Sequence, residues 1–219
     1  MRGSQERSAA AIAAALVFAI LAAIGVSPAS NEGFYLPRRI YPQSQRPIGW
    51  NLVALPARSP YQGPGGLTRL CKDLKLDPEG QIIQFDGAGM VFAHVCSMAA
   101  PQFNLLDGRG VLIQNPRLRD GVIVGSDNPT KTIAIAKLGA APVGTNIFPI
   151  DYHTTLVTPE DLCLTCGLSA TATVSRIDAQ TGTVFTHLCG QAPGWNLVQG
   201  EAVLVFENQG PKTCSPPHL

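Results

Sequence analysis

Six cysteines and four histidines are the residues of this chain whose types could do chemistry, and part of their spacing is repeated. The run Val91-Phe92-Ala93-His94-Val95-Cys96 returns 93 residues later as Val184-Phe185-Thr186-His187-Leu188-Cys189. Cys71 stands 25 residues before Cys96, and Cys163 stands 26 before Cys189. Side chains alternate along a strand, so His94 faces the same side as Cys96, and His187 the same side as Cys189.

That geometry fits two chemistries. In one, Cys71–Cys96 and Cys163–Cys189 are disulfides tying a helix to a sheet, and the remaining pair, Cys166 with Cys214, fixes the C-terminal tail. Loops of 25 and 26 residues correspond to roughly 3–4 kcal/mol each on the chain-entropy account. In the other, Cys163, Cys166, His187 and Cys189 supply four ligands of the kind that hold tetrahedral zinc. The first copy has Lys72, Asp73 and Leu74 where a second helix thiol should fall, so metal binding does not account for the duplication. Disulfides are therefore the expectation, with no cofactor. His94 and His187 are expected to cover them, and are kept as possible binding residues.

Other polar groups give weaker signals. Asp151 and His153 with a serine such as Ser126 would make a hydrolytic set, yet no Gly-x-Ser-x-Gly turn exists to expose a nucleophile. Walker loops, dinucleotide-binding glycines, zincin histidine pairs and calcium loops are also absent from the sequence. Trp50 and Trp195 each precede Asn and an apolar run. An exposed indole there would stack on a sugar ring, whereas a buried one would cover an end of the core.

The elements that must position these groups follow from period and punctuation. Ile48 to Pro56 reads as a strand ended by proline, and Leu67, Leu70, Cys71 and Leu74 are spaced as a helix that Pro78 and Gly80 stop. Ile82–Asp86 and Met90–Cys96 form a hairpin, and Phe103–Ile113 closes the unit around a turn at Asp107-Gly108. The second copy opens at Gly144–Pro149. Its helix has Thr158 as N-cap, Pro159 in the first turn, Glu160 and Asp161 at the positive end of the dipole, and Gly167 beyond the C-terminus. Thr173–Asp178 and Thr183–Cys189 repeat the hairpin, and Trp195–Val205 aligns with Phe103–Ile113. The spacing predicts a first repeat over 48–115, a connecting hairpin over 116–143, a second repeat over 144–207 and a loose tail over 208–219.

Composition bounds the rest. With 219 residues and 45% hydrophobic content the chain can bury a core. Its 22 glycines and 18 prolines favour short strands and tight turns over long helices. A net charge of +1 and 14% charged residues provide no broad cationic face, so nucleic acid is not expected as a partner. Arg2 and Arg7 precede an uncharged run from Ala9 to Val26, and Ser27-Pro28-Ala29 offers small residues for cleavage. Residues 1–29 therefore read as a signal peptide or an N-terminal anchor, the latter giving contact with a membrane only if uncleaved. Residues 30–47, with three prolines and three arginines, read as a stalk or as an arm lying over the domain. A signal peptide and an anchor at 1–29 both place the remainder outside the cytoplasm, where disulfides persist.

The sequence thus predicts a mainly β, α+β protein with two short helices. A duplicated β-rich unit packs as one pseudo-symmetric, disulfide-stapled body. The expected function is that of an exported or surface-tethered, non-catalytic binding or structural module with a protein or glycan partner. The alternative is a small extracellular metal-binding protein or hydrolase using the His-x-Cys strands.

Overall fold

The structure, a computed structural model, describes residues 33–99, 103–106, 109–126 and 131–217. The expected export segment at 1–29, the turn at Asp107-Gly108 and the turn residues Asp127–Pro129 lie outside the described residues. Gly33–Leu219 is one unit. It is mostly β, with two short helices, two similar four-stranded sheets and three disulfides.

In the first half, β1 (Phe34–Ile40) is followed by β2 (Asn51–Val53), α1 (Gly66–Asp73), β3 (Gln81–Phe85), β4 (Val91–Val95), β5 (Val111–Gln114) and β6 (Arg119–Gly125). The second half repeats the order with β7 (Ile133–Ile135), β8 (Asn146–Pro149), α2 (Pro159–Thr165), β9 (Thr173–Ile177), β10 (Val184–Leu188), β11 (Ala202–Phe206) and β12 (Lys212–Cys214). One sheet runs β2-β5-β3-β4 and the other β8-β11-β9-β10, each pairing antiparallel and each with the histidine-bearing strand at its edge.

The two remaining ribbons correct the expected connecting hairpin over 116–143. β6 pairs with β1 across seven residues and β7 pairs with β12, so the two strands belong to different copies. The reason is burial. Ile123 enters the first core beside Ile40, and Ile133 and Ile135 enter the second beside Cys214. The stretch expected as a stalk or as an arm over the domain is therefore in part a strand. Pro37, which lacks an N–H, is tolerated there because β1 has a neighbour on one side only. The run from Trp195 also differs from expectation, being a loop to Gly200 before β11 begins.

Strand alternation explains how one sheet serves two cores. In the first copy Val53, Ile82, Val111 and Ile113 face the interior beneath α1, with Leu67 and Leu70. Their out-of-phase neighbours Leu52, Ile83, Phe85 and Leu112 face the other copy instead. There they meet Ile147, Ile177 and Leu204, which correspond to Leu52, Phe85 and Leu112, together with Ala202.

Matched polar contacts recur within each half and between the two. The Asn51 side chain accepts from the Tyr41 N–H at 2.8 Å and donates to the carbonyls of Tyr41, Gly49 and Ile113. The Asn146 side chain does the same with Ala136, Gly144 and Val205. Gly49 donates to the Ala179 carbonyl at 2.8 Å, and Gly144 donates to the Gly87 carbonyl at 2.9 Å, so each copy's hairpin tip docks on the other copy's opening loop. Gly49 and Gly144 have φ of 79° and 80°, and a Cβ on Gly49 would fall 2.4 Å from Gln43 Cα, which together require glycine.

The third disulfide has a counterpart without sulfur. Cys166 and Cys214 correspond to Leu74 and Gly121. Gly121 lies so close to α1 that a Cβ on it would sit 2.3 Å from Leu74 Cα. The first copy closes this contact by direct packing and the second by a covalent bond.

Candidate functional site

The cysteines are joined as Cys71–Cys96, Cys163–Cys189 and Cys166–Cys214, with Cα separations of 5.7, 5.7 and 4.5 Å. The zinc alternative would need these sulfurs free. Cys163, Cys166 and Cys189 hold no thiolate, and a coordinating sulfur must be one. Glu160, Cys163 and His187 do converge, their donor atoms within 4.8 Å of one another, but the sulfur is already bonded.

His187 and His94 occupy equivalent places and differ in one partner. His187 Nε2–H donates to Glu160 Oε2 at 2.8 Å, and the same oxygen accepts the Gly190 N–H at 2.9 Å. These bonds, the histidine's first, hold the Glu160 carboxyl below its ordinary range. α2 positions it through a capping box: Thr158 accepts from the Asp161 N–H while Asp161 accepts from the Thr158 N–H, leaving Glu160 to turn toward the sheet. In the first copy Thr68 stands where Glu160 would be, three residues before the helix cysteine. His94 is fully buried, neither ring nitrogen has a hydrogen-bond partner among the described residues, and burial pushes its pKa down. Both histidines therefore lie beneath the surface.

The tryptophans are also partly covered. Trp50 is half-buried on the cluster shared by the copies, with the Arg46 guanidinium 6.0 Å from its ring centroid. Trp195 is half-buried against the second core. The hydrolytic candidates are placed as follows. Ser126 is bridged through its backbone to Arg58, the Asp151 carboxylate is buried 3.6 Å from Lys131 Nζ, and His153 is exposed.

The group of side chains with the geometry of a site lies elsewhere, in a cleft of about 210 Å³ between the copies. Arg38, Arg39 and Tyr41 line one wall, and Arg176, Asp178, Gln180 and Glu201 the other, over a floor that includes Asn51 and Val53. The duplication supplies an internal reference for these positions. Register along the strands matches Arg38 with Ile133, Arg39 with Ala134, Tyr41 with Ala136, Arg176 with Gln84 and Glu201 with Arg109. The framework is shared by both copies, but this group of three guanidiniums with an aromatic ring is not.

The charges are arranged in forks. Arg176 pairs with Glu201 through Nε–Oε2 at 2.8 Å and Nη2–Oε1 at 3.4 Å. Arg39 pairs with Asp120 at 2.8 and 3.4 Å, and this bond holds the Asp120 carboxyl below its ordinary range. Arg38 has no carboxylate partner among the described residues. Its Nη2 donates to the Tyr152 hydroxyl and, at 3.3 Å, to the Gln199 carbonyl, and its guanidinium stands 5.5 Å from the Tyr152 ring centroid. Its Nε is buried without a hydrogen-bond partner among the described residues. Asp178 accepts from the Gln180 and Thr181 N–H groups, which shapes the turn at the cleft's rim.

Sequence reasoning singled out none of these arginines. The one available signal was Arg38-Arg39 ahead of Ile40, against Ile133-Ala134 ahead of Ile135. The chain matches no family model, no curated protein and no solved structure.

Proposed function

We propose that the protein is a non-catalytic binding module working outside the cytosol, and that it takes one unit of a glycan in the cleft between its copies. The observation that carries this reading is the asymmetry of that cleft. Where the other copy has Ile133, Ala134, Ala136 and Gln84, the cleft has Arg38, Arg39, Tyr41 and Arg176. Guanidinium–carboxylate forks offer donors and acceptors side by side, which suits the vicinal hydroxyls of a sugar. The cleft is smaller than the roughly 300–1,000 Å³ of sites for drug-sized ligands, which favours a single ring over an extended chain.

All six cysteines are bridged, which fits an oxidising compartment. No helix among the described residues is long and apolar enough to cross a membrane. Export is inferred from Arg2, Arg7 and the uncharged run to Val26. The test is amide chemical-shift mapping of the oxidised protein against a panel of monosaccharides. Saturable shifts clustered at Asn51–Val53, Arg176–Gln180 and Gly200 are expected. Shifts elsewhere, or none with any sugar, would overturn the assignment.

A further inference from the structure

We propose that the sugar unit is an acidic one, a hexuronate, whose carboxylate is held by Arg38 while its ring hydroxyls meet the Arg176–Glu201 fork. This rests on the glycan reading above and goes on to specify the ligand's charge. Arg39 and Arg176 are each already neutralised by a carboxylate within 2.8 Å. Arg38 is a cation whose hydrogen-bond acceptors, a phenol and a backbone carbonyl, are both neutral. It is half-buried, where an opposite charge is worth more than in bulk water. The fold does not call for a cation at this place, because Ile133 occupies the matching position on β7 and belongs to the second core. An acidic peptide would also supply a carboxylate, but the small cleft and its alternating donors and acceptors favour a compact polyhydroxylated ring.

The test measures Kd values of the full, oxidised chain for glucuronate, glucose, glucose 6-phosphate and a short aspartate-containing peptide. Glucuronate is expected to bind at least about tenfold more tightly than glucose, and to lose that advantage as salt rises. Arg38→Ile, which installs the residue found at the matching place in the other copy, should bring glucuronate down to the level of glucose. Arg38→Gln serves if the isoleucine variant loses its dispersed amide spectrum, and Lys72→Ala on α1 serves as an unaffected control. Equal binding of glucuronate and glucose sinks the acidic-sugar proposal while leaving the glycan reading in place. Binding of glucose 6-phosphate as tight as that of glucuronate, or tighter, overturns the carboxylate assignment. Binding of the peptide alone, with no sugar bound, overturns both.

Discussion

Acidifying the protein through the histidine range should weaken it through His94. Its pKa in the folded state lies below the ordinary value of 6.5 because burial opposes the charged ring. The unfolded chain therefore binds this proton first. Stability is intact above about pH 6.5 and falls as the pH drops, until the folded-state value is reached. While the folded ring stays neutral the slope is about 1.4 kcal/mol per pH unit, so the loss at pH 5.5 amounts to up to about 1.4 kcal/mol. Urea unfolding at constant ionic strength between pH 7.5 and 5.0, on wild type and His94→Gln, isolates the contribution as a difference in slope. Thr68→Glu sharpens the test, since it places a carboxylate where Glu160 stands beside His187 and should flatten the wild-type slope. Identical slopes in wild type and His94→Gln would refute the account of the buried ring. An unchanged slope in Thr68→Glu would refute the equivalence of positions 68 and 160.

Other perturbations follow from the same comparison of copies. Cys166→Leu with Cys214→Gly gives the second copy the residues that close the first; the fold should survive, with about 4 kcal/mol lost on the chain-entropy account of a 48-residue loop, read from urea midpoints. Asn51→Ala and Asn146→Ala each remove four hydrogen bonds and should each cost roughly 2–4 kcal/mol in the same assay, and a large inequality would argue against matched roles. Glu160 has its folded-state pKa below 4.5, so the stability it contributes is present above that pH and is lost as the pH falls further. Glu160→Gln should remove that low-pH component and leave the His94 effect between pH 6.5 and 5.5 in place.

The parts of the fold legible in the sequence were those whose partners lie close along the chain. The helices, the two hairpins and the pairs Cys71–Cys96 and Cys163–Cys189 sit within about one repeat, and a shared offset marks them twice. Cys214 was assignable to Cys166 because the repeat had already used the other four. β1 and β12 were not legible as sheet members, because their partners, β6 and β7, lie some eighty residues away and nothing local records a pairing of that range. Pro37 and the arginines of β1 are equally compatible with a stalk and with an arm over the domain, and only the pairing with Val122 and Gly121 distinguishes the two. The cleft was hidden for the same reason, since Arg38 and Arg176 meet only once both copies are assembled. Glu160 was read as a charge favoured by the helix dipole, a role any first-turn acid satisfies, and its bond to His187 depends on the angle between α2 and β10, which spacing does not encode.

The exchange of hairpin tips between the copies has a consequence for how the molecule comes apart. The Gly87 turn is held by Gly144, and the Ala179 turn by Gly49, so an opening in either sheet uncovers the loop that the other sheet depends on. Neither half has a private route to the open state. Amides in β3 and β9 should thus share a single hydrogen-exchange ceiling, set by global unfolding, despite lying in different sheets. A ligand gripping both walls of the cleft would raise that ceiling for the two sheets together.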